Sequence, residues 1–178
     1  MSSCDHLVLM AAYNAAMNGK LYRAAASLPV AELLLDRQAF FGSILGTLNH
    51  LLAGDIVWLK RFSEHPADFP ALHAMAPIPK PANLRDLLRN DLAELLELRL
   101  HLDGIISAWA AQVREADLAH VLRYQNSQGL QQKRFGPLTA HFFNHQTHHR
   151  GQTTTLLFQA GVDVGSTDLL DHIANQGS

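Results

Sequence analysis

From Gln38 to Ile56 the chain carries a single charged residue, Asp55. Around it, Leu45, Leu48, Leu52, Ile56 and Leu59 recur at helical spacing and form one broad apolar stripe. His50 lies on nearly the opposite side, among Ser43, Gly46, Thr47, Ala53, Gly54 and Val57. A solvent-facing helix side normally carries Lys, Glu or Arg. The segment is therefore expected to be a helix buried on both sides, and so to need several partner elements. One face is expected to meet a helical core and a pocket, the other a second subunit; the pattern does not assign which.

The rest of the chain supplies those partners. A first helix is predicted over residues 5–27, with Leu7, Met10, Asn14, Met17 and Leu21 on one face. Asn14 interrupts that stripe, either as a bonded core asparagine or as a polar group aimed into a pocket. The uncharged segment belongs to a second predicted helix, residues 36–63. Residues 64–82 hold five of the seven prolines and read as a loop, with room for one short helix. A third helix is predicted over residues 83–115, with Asn83 as its cap and Asp86 three residues on. Val121, Leu122 and Tyr124, then "NSQG", then Leu130 to Phe135 read as a small β-hairpin. Gly136-Pro137 opens a fourth helix and Ala160-Gly161 ends it. The tail "STDLLDHIAN" is read as one more short helix. The expected fold is all-α: a four-helix bundle, one domain over residues 1–178, with a hairpin inserted between the third and fourth helices.

Composition narrows the function. Charged residues make up 17% of the chain, the net charge is −2, and no Lys/Arg-rich run occurs, so no nucleic acid partner is expected. No apolar run approaches a membrane span. The apolar run near the N-terminus has no basic segment before it, so no signal peptide is expected. Cys4 is the lone cysteine, which fits a reduced, cytoplasmic protein.

The chemistry is concentrated in "HFFNHQTHHRGQ", residues 141–152, which holds four of the eleven histidines. With His145 as the zero of helical phase, His149 lies about 40° to one side and His141 about 40° to the other. His148 lies about 60° away on the His141 side, and Gln152 falls near the middle. His145 and His149, one turn apart, can share an ion. A further ligand must come from a facing helix, and the second predicted helix offers His50. An exposed polar helix face is the competing reading. There is no HExxH, Glu-x-x-His, CxxC, P-loop or GxGxxG.

"AYNAAMNGKLY", "FFGSILGTLNHLLAGDIVWLKRF" and "HFFNHQTHHRGQ" together resemble the DinB family of bacterial proteins. This is a DNA-damage-inducible, metal-dependent group unrelated to the polymerase of similar name. The resemblance spans roughly residues 8–161. It implies a four-helix bundle, usually dimeric, with a metal held by three histidines: His50 from "LNH", and His145 and His149 from "NHQTHHRGQ". Three neutral imidazoles suit Zn or Ni and leave a position open. Distant relatives of the bundle resemble transferases and isomerases that use low-molecular-weight thiols. The expected function is therefore a divalent-metal-dependent thiol transferase, or a related hydrolase or isomerase. Asn14, Tyr124 and Gln152 are expected at the substrate pocket. The alternative is a non-catalytic metal-binding protein of stress response.

Overall fold

The computed structural model describes residues 1–175. Helix α1 spans Ser3–Ala25, and Ser2 and Asp5 cap it reciprocally, each satisfying a free backbone N–H of the other. A short helix α2, Val30–Leu34, follows. Helix α3 spans Ile44–Phe62, with the Ser43 hydroxyl accepting from the Gly46 N–H. Helix α4 spans Leu92–Ala110, and α5 spans Phe135–Gln159. Between α4 and α5, strands β1 (Val121–Asn126) and β2 (Gly129–Arg134) pair antiparallel, with Val121 opposite Arg134 and Asn126 opposite Gly129. Short 3-10 turns occupy Pro70–Met75, Asp117–Ala119 and Leu169–His172. The last of these is all that forms of the helix expected in the tail.

Helix α1 packs on α4 and α5, and α3 packs on α5 and α4. Leu48, Leu52, Ile56 and Leu59 of α3 are buried against Leu95, Leu102 and Ile106 of α4 and the aromatic residues of α5, within one continuous core. At one end, Phe62 is ringed by Trp109, Phe135 and Phe142, with centroids 5.2–5.7 Å away. Each such aromatic or leucine contributes about 1.5–3 kcal/mol on burial. Among the described residues no helix is long and apolar enough to cross a membrane.

Two helix starts differ from expectation. The second long helix begins at Ile44, not at residue 36. Residues 36–43 instead form a tight loop in which Gln38 and Gly42 have positive φ, closed by Arg37 N–H donating to the Gly42 carbonyl at 2.8 Å. The third begins at Leu92, where Asp91 accepts from the N–H groups of Ala93 and Glu94, not at Asn83. Asn83 and Asp86 do bond to each other, but they close an isolated turn. The reason is tertiary. The buried Asn49 side chain donates to the Arg89 carbonyl and accepts from the Arg89 N–H, both at 3.0 Å. That exchange holds the segment in a non-helical path against α3. The third helix also ends sooner, at Ala110 rather than residue 115.

The small-residue face of α3 is buried as expected, but by the same chain. Thr47, His50, Ala53 and Gly54 are all buried, with α5 and the 83–90 loop packed against that side. Its lack of charge therefore needs no second copy.

Candidate metal centre

Three histidines from two helices converge. Nε2 of His50 lies 3.2 Å from Nε2 of His145 and 3.1 Å from Nε2 of His149. The ligand atoms of all three lie within 4.8 Å of one another. One turn of α5 separates His145 from His149, so the helix presents both rings to α3. Gly54 of α3, one turn beyond His50, makes the approach possible. A Cβ at Gly54 would stand 2.8 Å from Cε1 of His145, closer than carbon atoms can pack.

The other ring nitrogens fix the protons. Nδ1 of His50 is 2.9 Å from the Leu84 carbonyl, which can only accept, so Nδ1 carries the hydrogen and Nε2 is bare. Nδ1 of His149 is 2.7 Å from Oε1 of Gln152, with the same result. Gln152 is itself placed by Nε2, 3.3 Å from Nε2 of His148. Two bare lone pairs, those of His50 and His149, thus face each other at 3.1 Å. Acceptor against acceptor is repulsive unless a cation lies between them. Two nitrogens on one ion at metal–nitrogen distances of about 2.0–2.1 Å are separated by about 2.9–3.4 Å for right-angled to tetrahedral arrangements. The residues fit a divalent ion.

The surroundings favour neutral imidazoles. Burial, then the neighbouring His149 and Arg85, lower His50 to about 4, against the Leu84 bond that opposes the shift. Burial and the adjoining histidines lower His145 to about 3. His149 is also lowered, chiefly by burial, while its bond to Gln152 pulls the other way. All three rings are neutral near neutral pH, as ligands must be, and the bonds at Nδ1 leave Nε2 of His50 and of His149 bare.

An aromatic wall covers one side. The Phe41 ring stacks on His50 with centroids 3.7 Å apart and planes at 16°, and meets His149 edge-on at 5.4 Å. Gly46 lets Phe41 reach this place. A Cβ there would stand 2.2 Å from the Phe41 carbonyl oxygen, so only glycine lets the loop fold back over the first turn of α3. Beside Gln152, a cavity of about 320 Å³ opens between Phe40, Thr47 and Arg37.

The other sequence candidates stand elsewhere. Tyr124 is buried against Trp58, whose ring meets His141, which in turn lies 6.2 Å from His145. Asn14 is fully buried and bonds Asp103 and Arg150. It belongs to a polar network spanning four helices. In that network Asp55 of α3 takes Arg99 of α4 and Gln146 of α5, while Asp103 takes Asn14 and Asn18 of α1. Arg99 Nη2 also lies 3.0 Å from Asp103, an ion-pair contact poorly aligned for a hydrogen bond. Burial pushes the Asp55 carboxyl up, with Arg99 and Gln146 opposing. Burial also opposes the Arg99 cation, but Asp103 and Asp55 outweigh it and raise its pKa. The direct Arg99–Asp55 contact favours the charged pair.

Sequence reading missed Phe41, the Leu84 carbonyl and the steric role of Gly54. Phe41 and Gly54 lie inside a motif already singled out. Leu84 contributes only backbone, which leaves no signal in its side chain.

The DinB family model matches residues 1–177. The chain is also 27% identical over 157 residues to Protein DinB of Bacillus subtilis (strain 168), covering 88% of this chain and 87% of that one. No solved structure matches. With the three-histidine group in place and the family model matching nearly end to end, the chain belongs to the DinB family.

Proposed function

We propose that this chain is a single four-helix-bundle domain, residues 1–178, in which His50, His145 and His149 hold zinc or nickel for a reaction of a small-molecule thiol. The observation that carries this reading is the meeting of the bare Nε2 atoms of His50 and His149, each fixed by a bond at the opposite ring nitrogen, with Nε2 of His145 beside them. Bound there, the ion would lower the pKa of a thiol and supply its thiolate at neutral pH. The fitting reaction is S-transfer: a carbon–sulfur bond forms, the bond to a leaving group breaks, and the thiol proton departs with that group. A related hydrolase or isomerase has the same requirement for an activated nucleophile.

The chain's own residues do the positioning. Leu84 and Gln152 orient two rings, Gly54 admits the third, and Phe41 shields His50 from water. Gln152 is placed at the substrate side, next to the Phe40 cavity, and Tyr124 supports the wall formed by Trp58 and His141. Asn14 contributes indirectly, by holding Arg150, the neighbour of His149 in α5. A homodimer and a cytoplasmic location are part of this reading; the first rests on the family resemblance, the second on the lone cysteine.

Metal analysis of protein purified without a histidine tag, followed by incubation with thiols and electrophiles, tests the proposal. Turnover that requires metal and stops in a His145→Ala, His149→Ala variant is the expected result. Bound metal with no turnover across a broad panel would instead favour metal handling in stress response. Failure to take up zinc or nickel would contradict both.

A further inference from the structure

The loop before α4 is fastened to α3 at two points. The Leu84 carbonyl accepts from Nδ1 of His50 at 2.9 Å, and Arg89 exchanges two hydrogen bonds with Asn49. Across the first anchor, Oδ1 of Asn83 accepts from the Arg85 N–H at 2.7 Å. The Arg85 guanidinium lies 4.4 Å from the centre of the Phe40 ring and 5.9 Å from that of Phe41. Phe41 in turn stacks on His50. Arg85 is thus held one aromatic ring away from a candidate metal ligand, by a loop anchored on that same ligand.

Nearby arginines are already engaged: Arg37 pairs with Glu32, and Arg89 with Glu94. Arg85 has no ion-pair partner among the described residues. Arg85 is exposed, as is the Phe40 ring beneath it, so the guanidinium is stacked yet open to solvent. The charge balance points the same way. The three-histidine group holds no carboxylate, so a divalent ion there keeps its full charge, and Arg85 adds one more. A thiolate bearing a carboxylate would offset two of those three charges.

Building on the metal-site reading above, we propose that Arg85 is a specificity-determining residue: it receives the carboxylate of a small mercapto acid whose sulfur reaches the three-histidine site. The guanidinium fork matches a carboxylate in bidentate fashion, and the stacked ring holds it ready.

Cobalt-loaded protein tests this, because thiolate binding to cobalt is read by charge-transfer absorption. Cobalt stoichiometry is measured first, then 3-mercaptopropionate and 2-mercaptoethanol are titrated separately. We expect the acid to bind at least about tenfold more tightly in wild type, as one charge-assisted contact provides. The preference should disappear in Arg85→Met and persist in part in Arg85→Lys, with one cobalt per chain throughout. Equal affinities in wild type, or a preference that survives Arg85→Met, with cobalt bound, would overturn the role of Arg85. Protein that takes up no cobalt would overturn the metal site and this inference with it, and the prior stoichiometry separates the two failures.

Discussion

Two polar clusters draw on both α3 and α5, and they solve the same problem differently. In one, Asp55, Arg99, Asp103 and Arg150 place two acids against two bases, with Asn14, Asn18 and Gln146 bonded among them. That cluster supplies its own counter-charges, two acids for two bases. In the other, His50, His145 and His149 aim ring nitrogens at one point, and the group holds no charged residue to answer them. The first is a structural clamp, and the second is complementary to something the chain does not encode. The clamp also adjoins the site along the chain: Asp55 follows Gly54, Gln146 follows His145, and Arg150 follows His149.

The sharpest way to break this contrast is to damage the clamp. Asp55→Ala leaves Arg99 without its closest partner, and denaturant unfolding should show a loss of about 3–5 kcal/mol. Gly54→Ala should do the reverse: the fold is kept, since a ring at the end of a side chain can swing away, but His145 leaves the convergence point. Calorimetric metal affinity should fall by more than the roughly 10–100-fold typical of removing a ligand's hydrogen-bond partner. Gln152→Leu removes only such a partner, so its affinity loss should lie within that range of about 10–100-fold. A last test is in acid, where the loss is softened because His145 and His149 are half-buried and can turn toward water on protonation. In metal-free protein His50 and His145 have pKa values lowered to about 4 and about 3, so the unfolded chain binds more protons below pH 6.5. Stability should be complete above that pH and decline as pH falls toward 4. Metal-free protein that grew more stable over this window would contradict the burial of neutral rings.

Much of this contrast is legible in the sequence, though unevenly. Helical phase put His145 at the centre of the four candidates, with a partner one turn away, because a helix fixes side-chain direction whatever it packs against, and the family resemblance took His149 over His141 as that partner. The hairpin and the Gly161 helix stop were readable for the same local reason. The start of α4 was not. Asn83 and Asp86 have the right identities for a cap, but Asn49 and His50, more than thirty residues away, hold that segment as a loop. Nor was the covering of α3 legible. Absence of charge reveals burial but not by what, and α5 together with the 83–90 loop supplied what a second subunit was expected to provide. The acid–base clamp escaped for a related reason: Arg99 and Asp103 lie among leucines, and only the fold shows that they point inward.

The most direct measurement titrates zinc into metal-stripped, tag-free protein by calorimetry, beside the His145→Ala, His149→Ala variant. We expect one ion per wild-type chain, a gain in unfolding free energy of about 2.7 kcal/mol at a hundredfold excess over Kd, and neither effect in the variant. Equal zinc uptake by the two proteins, or none by the wild type, would contradict the claim that these histidines are arranged around a metal.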